Sequence, residues 1–241
     1  MTGDEIVQLA PEVWCLGQRK GGRVHAFLLD DGGELTLVDT LFDADGARIL
    51  RQIEAIGRKP ADLKHIVITH GHRSHVGGMA ALHAATGAQV YSHEWESDIL
   101  SGDREAQRIS LLPGRPYRTW FPIQVGLGMG LGRQAPCEVD HFIAGGDRVG
   151  PLHVIDASGH SPGHLAFLWP EQSLLIAGDA VCTWPSFAAG WPALNLNVKK
   201  HHAALRRLAE TEADVLGVGH GSPVRSGGHA RVRSLVDELG R

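Results

Sequence analysis

The sequence predicts an α/β fold in which two β-sheets pack face to face and are flanked by helices. Short apolar runs bounded by Gly, Pro and Asp recur along the chain, and amphipathic helical stretches alternate with them from residue 44 onward. The second half repeats the layout of the first, with no Ser/Gly or Pro-type linker between them. At 241 residues the chain buries a core without needing cross-links, so one domain spanning 1–241 is expected.

The elements follow in order. Glu5 to Leu9, Val13 to Leu16, Val24 to Leu29 and Leu35 to Val38 read as an opening antiparallel meander. Ala44 to Ile56 places Ala47, Ile49, Leu50, Ile53 and Ile56 near a 3.6-residue period, a helix ended by Gly57 and Pro60. His65 to Thr69 is a short buried strand, Gly78 to Ala85 a small helix and Gln89 to Ser92 another strand. From about 101 to 150 the period fades into Pro and Gly punctuation, which predicts a long loop or insertion. Within it Val125 to Gly132, VGLGMGLG, lacks the Lys-Ser/Thr ending of a phosphate-binding loop. Strands are expected again at Leu152 to Asp156, Leu165 to Trp169, Ser173 to Ile176 and Asp214 to Val218, with helices at Val198 to Thr211 and Ala230 to Leu239.

Composition narrows the function. Lys plus Arg is 23 and Asp plus Glu is 27, a net charge of −4 that argues against a general nucleic-acid binder. The N-terminal residues are acidic where a signal peptide is basic, and no apolar run reaches the roughly 18 residues of a membrane span. A cytoplasmic protein acting on a small molecule is expected. Cys15, Cys137 and Cys182 are odd in number and lack CxxC spacing, so they read as packed thiols. Histidine, by contrast, is abundant at 15 residues, and it is the commonest metal ligand.

The histidines concentrate at strand ends. In HIVITHGHRSHVGG, residues 65 to 78, an apolar strand stops at Thr69 and releases His70, His72 and His75 into a Gly-flanked turn. Residues two apart in extended backbone project to the same side, so His70 and His72 can address one ion. SGHSPGH at 158–164, AGDA at 177–180 and GVGHGS at 217–222 each follow a predicted strand and offer His or Asp among small residues. Small neighbours allow a metal and its substrate to approach the backbone closely.

With these motifs the chain resembles the metallo-β-lactamase fold superfamily over essentially its whole length: Asp39 in LVDT, the THGHRSHVGG stretch, His160 in GHSPGH, Asp179 in AGDA and His220 in GHG stand in the family order. The resemblance implies a four-layer αββα sandwich with a metal site at the rim of the paired sheets. It implies His70, His72 and His160 as ligands of a first metal, Asp179 as the bridging carboxylate, and His75 with His220 as ligands of a second. Asp179 and His220 are the expected catalytic pair, and Asp39 and His164 are expected to support ligands rather than bind metal.

One residue departs from the family pattern. HxHxDH has Asp where this chain has Ser74, preceded by Arg73. A serine hydroxyl is a poor ligand for a divalent ion, so the second site is expected to be weaker, with water filling in, or a single metal is used, or activity is lost.

The chemistry implied is hydrolysis by a zinc-bound hydroxide, with one or two zinc ions and with iron or manganese as alternatives. A small ester, thioester, lactone or lactam is the expected substrate, since the residues after His220 do not supply the C-terminal helical domain of glyoxalase II enzymes. Trp120, Phe121, Trp184, Phe187 and Trp191 are candidate walls of an apolar pocket. Two other classes stay open: a mononuclear Fe(II) dioxygenase resembling the persulfide dioxygenases, and a degenerate metal-binding protein without hydrolysis.

Overall fold

A computed structural model of the chain describes residues 5–105, 125, 134–191 and 194–239. Strands β1 (Ile6–Ala10), β2 (Val13–Gln18), β3 (Val24–Asp30) and β4 (Leu35–Val38) form the expected antiparallel meander. A short turn, labelled α1 (Lys20–Arg23) and left-handed at Gly21, Gly22 and Arg23, joins β2 to β3. After β4 the sheet turns parallel through β5 (Leu63–Val67), β6 (Gln89–Ser92) and β7 (His141–Phe142). Helices α2 (Ala47–Ala55), α3 (Arg73–Val76), α4 (Met79–Thr86) and α5 (Glu94–Leu100) are interleaved with these strands.

The second sheet holds β8 (Arg148–Val149), β9 (Leu152–Asp156), β10 (Leu165–Trp169), β11 (Leu174–Ile176) and β12 (Val215–Gly217). Its strand order is β12-β11-β10-β9-β8, and only the β11–β12 pair is parallel. Helix α6 (Val198–Ala209) precedes β12 and α7 (Gly228–Leu239) follows it.

Strand β3 shows why the layers stack as they do. Its alternate residues Ala26 and Leu28 face outward, into a core with Leu37 and with Ile49 and Ile53 of α2. Phe27 and Leu29 face inward and meet Phe167 and Ile176 of the other sheet. Beyond that sheet, Ala166 and Leu175 pack under Leu205 and Leu208 of α6 and Val232 and Leu235 of α7. A central strand apolar on both faces needs cover on both, so helix, sheet, sheet and helix follow in order, as expected.

Local chemistry sets the differences from expectation. Helix α2 starts at Ala47 because Gly46 sits at φ +62°, and the Asp45 carboxylate accepts the Ala47 amide at 3.0 Å. The sequence reading missed α5, seven residues long, whose first turn is capped by the His93 ring accepting the Trp95 amide. It also missed β7 and β8, two residues each, which lie in the span expected to be loop. All three cysteines are buried and free, as expected of packed thiols. Among the described residues no helix is long and apolar enough to cross a membrane.

The two sheets are stitched together at one rim. The His25 amide donates to the Gly219 carbonyl at 3.0 Å, and the Leu165 amide donates to the Thr69 carbonyl at 2.9 Å. These bonds fix the loops that follow β5 and β12, and those loops carry the histidine motifs.

Candidate metal centre

Five strands end at this rim, and each delivers polar side chains to one point. Asp39 follows β4, His70, His72 and His75 follow β5, His160 and His164 follow β9, Asp179 follows β11, and His220 follows β12. Two donor groups result, His70–His72–His160–Asp179 and His75–Asp179–His220, with Asp179 common to both.

In the first group His72 Nδ1 lies 2.9 Å from His70 Nε2 and 3.1 Å from His160 Nε2. Asp179 Oδ2 stands 3.4 Å from His160 Nε2 and 3.8 Å from His70 Nε2. In the second group His75 Nε2 and His220 Nε2 are 3.3 Å apart, and Asp179 Oδ2 lies 3.4 Å from the latter. Ligands at about 2.0–2.1 Å from one tetrahedral ion stand roughly 3.3 Å from each other, so these spacings suit a shared cation. Asp179 Oδ1 is buried and accepts no well-formed hydrogen bond, although His75 Nε2 lies 3.3 Å away.

The outward nitrogens explain why the inward ones present lone pairs. Thr69 donates its hydroxyl proton to Asp39, at 2.8 Å, so its oxygen accepts from His70 Nδ1–H at 3.0 Å. His160 Nδ1–H donates to Asn195 Oδ1 at 3.3 Å, and His220 Nδ1–H donates to the Gly22 carbonyl at 2.9 Å. His75 Nδ1–H donates to Asp39 Oδ2 at 2.8 Å. Each such contact orients its ring and points Nε2 at the centre, and for His70 and His160 it also fixes the tautomer. Asp39 thus touches Thr69 and His75. His164 is a support too: its Nε2 accepts the Asp179 amide at 3.0 Å.

Charge is distributed to match. Burial drives His70 and His160 well below the usual histidine range and lowers His72 to about 4, so these imidazoles are neutral at pH 7. Burial pulls His75 the same way, but the carboxylates of Asp179 and Asp39 override it and raise His75 to about 10. Burial opposes ionisation of Asp179, yet His220 and His75 hold it well below the usual carboxylate range. An ionised, buried aspartate beside the neutral imidazoles of His70, His72 and His160 has the composition of a cation site.

Several residues that sequence reasoning missed hold this arrangement. Glu96, on α5, is 1% exposed. Its Oε2 accepts the Gly71 amide at 3.0 Å, and its Oε1 accepts the Gly163 amide at 3.0 Å and the Ser161 hydroxyl at 2.5 Å. One carboxylate therefore clamps the His70–His72 loop to the His160–His164 loop. Asn195 and Thr69 belong to the same class of support. No local spacing marks Glu96 or Asn195, because their partners lie 25 to 67 residues away for Glu96 and 35 for Asn195.

Ser74 is half-buried in α3 and supplies no carboxylate to the second group. Arg73 turns its guanidinium onto Phe42, over the ring at 4.5 Å and onto the Phe42 carbonyl. Of the aromatic candidates, Trp191 stacks on His220 at 4.7 Å and Trp184 packs edge-on against Trp191 at 5.5 Å. Phe187 packs with the outer helix layer beside Arg231 of α7, away from the histidines. Trp120 and Phe121 lie outside the described residues, as do residues 126–132 of the glycine-rich stretch. Of the other histidines, His25 and His201 are buried.

A two-sheet sandwich carrying these donors at its rim defines a protein with the residues to hold metal ions. The chain belongs to the metallo-β-lactamase superfamily, whose family model matches residues 19–220. It is 30% identical to YobT of Bacillus subtilis (strain 168), an uncharacterized protein, over 84% of this chain and 85% of that one. It is 29% identical to a hydroxyacylglutathione hydrolase of Erythrobacter litoralis (strain HTCC2594), over 69% of this chain and 50% of that enzyme. The chain thus spans about half the length of the hydroxyacylglutathione hydrolases it matches. Among solved structures, the metallo-beta-lactamase family protein TTHA1429 from Thermus thermophilus superposes with a TM-score of 0.70 at 24% identity, covering 97% of this chain and 81% of that one. TTHA1623, solved in a di-iron-bound form, gives 0.66 at 25% identity and covers 87% and 93%.

Proposed function

We propose that this chain is a zinc-dependent hydrolase of small esters, thioesters, lactones or lactams. The observation that carries the reading is Asp179, a buried carboxylate shared by two histidine groups with one oxygen left without a hydrogen bond. The hydroxyacylglutathione hydrolase relatives support hydrolysis as the reaction type.

A zinc ion held by His70, His72, His160 and Asp179 would supply Lewis acidity, lowering the pKa of water from 15.7 toward about 7 and polarising the scissile carbonyl. The chain's residues do the rest. His70, His72 and His160, neutral through burial, offer lone pairs without competition from protons at pH 7. Asp179 stays ionised and accepts a hydrogen bond from the attacking water at Oδ1, which orients the oxygen lone pair toward the substrate. His220, held by Gly22, keeps Nε2 directed at the same carboxylate. With Ser74 in place of a carboxylate, the second group would offer three protein donors, His75, Asp179 and His220, and would hold an ion more weakly.

The test is turnover of chromogenic ester, thioester and lactam substrates by zinc-loaded protein and by Asp179→Ala. Turnover of at least one, lost in the variant, is expected. A fully loaded chain inert across the set contradicts the reading. A second reading, a mononuclear Fe(II) dioxygenase, draws on Ser74, which supplies no carboxylate to the second group. Zinc without iron in protein purified with no added metal excludes it.

A further inference from the structure

The turn between β2 and β3 holds three consecutive residues in the left-handed region, Gly21 at φ +81°, Gly22 at +90° and Arg23 at +59°. Glycine enters that region freely, whereas Arg23 carries a side chain there and is strained. The turn is tied to the metal centre on both sides of Arg23. The Gly22 carbonyl accepts His220 Nδ1–H at 2.9 Å, and the Arg23 carbonyl accepts the Gly221 amide at 3.1 Å. A Cβ built on Gly22 would stand 3.4 Å from both His220 and Trp191. The position of Arg23 is therefore fixed by its backbone.

From that anchor the exposed guanidinium lies over Trp184, 5.7 Å from the ring centre. Trp184 meets Trp191 and Trp191 stacks on His220, so guanidinium, two indoles and a ligand imidazole form one continuous wall leading away from Asp179. Among the described residues no carboxylate lies within ion-pair distance of Arg23. Asp43, the acid on the adjoining loop, is engaged by Lys20 at 2.8 Å and by Gln18. The wall is apolar along its length and cationic at its far end.

We propose that Arg23 determines specificity by pairing with an anionic end of the substrate, so that the preferred substrate is an ester or thioester whose acyl chain ends in a carboxylate. The acyl chain lies along Trp191 and Trp184, and the carboxylate reaches the guanidinium in the bidentate geometry that arginine favours. The substrate class rests on the hydrolase reading; the binding of the anion does not.

The test compares the mono-4-nitrophenyl ester of sebacic acid, whose chain can follow both indoles, with neutral 4-nitrophenyl decanoate on zinc-loaded protein, and titrates sebacate against tryptophan emission in metal-free protein. The expected result is a kcat/KM at least about tenfold higher for the sebacate monoester. That preference disappears in Arg23→Gln chiefly through KM, is partly kept in Arg23→Lys, and shrinks with added salt. Arg23→Gly, which relieves the strained φ, is expected to fold and to lose the preference, separating charge from folding. Equal kcat/KM for the two esters, or a preference that survives Arg23→Gln, overturns the proposal while leaving hydrolysis intact. If neither ester is cleaved, the hydrolase reading fails and sebacate decides: affinity at least fivefold weaker in Arg23→Gln supports the anion site, and unchanged affinity overturns it.

Discussion

Asp39 Oδ2 lies 2.8 Å from His75 Nδ1, and the same carboxylate accepts both the amide and the hydroxyl of Thr69. A single side chain after β4 thus orients a histidine of each donor group: His75 directly, and His70 through the Thr69 hydroxyl. Removing its charge by Asp39→Asn is expected to weaken uptake of the second ion by about 10- to 100-fold, the usual effect of losing such a support. Competition with a chromogenic chelator measures it. A change under twofold would show that Asp39 serves the fold alone.

Proton release provides the second prediction. Burial lowers the affinity of His75 for its proton, but Asp179 and Asp39 raise its pKa to about 10, so the metal-free chain holds that proton at pH 7. An ion taken up at His75 Nε2 must expel it. Affinity of the second group is therefore expected to rise with pH up to about 10, by roughly tenfold per unit, with about one proton released per ion. Calorimetry in two buffers of different ionisation enthalpy reads the proton count, and zero release contradicts the assignment.

Glu96 makes the third prediction. Glu96→Ala strands the Gly71 and Gly163 amides and the Ser161 hydroxyl inside the protein. A loss of about 3 kcal/mol or more in folding stability is expected, with weakened binding of the first ion because His70 and His160 sit on the two freed loops. Glu96→Gln retains both acceptor positions only in part and should fall between wild type and alanine. Urea unfolding and metal titration check the order.

Much of this architecture was legible in the chain itself, for identifiable physical reasons. Strands β3, β4, β9 and β10 are apolar runs closed by Gly, Pro or Asp, and period alone locates them. His70, His72, His160, Asp179 and His220 sit next to small residues at strand ends, a local pattern that spacing exposes. Glu96 and Asn195 left no such trace, since their partners are distant in sequence. Helix α5 and strands β7 and β8 were too short to show a period. The stacking of Trp191 on His220 depends on a loop packing that composition hints at but cannot place.

Ser74 provides the fourth prediction. A carboxylate at this position would add a fourth protein donor near His75, Asp179 and His220. Ser74→Asp is expected to tighten the second ion at least tenfold and to raise the metal content of the purified protein. Unchanged stoichiometry and affinity would show that position 74 faces away from the ion.

The central claim is that Asp179 joins two histidine groups into a cation site, and metal content tests it most directly. Plasma-emission analysis of zinc-dialysed protein is expected to find about one to two ions per chain. Asp179→Ala should retain almost none while circular dichroism shows the sandwich intact, and His220→Ala should lose only the second ion. A folded wild-type chain that takes up no ion, or an Asp179→Ala variant that binds as much as wild type, contradicts the account.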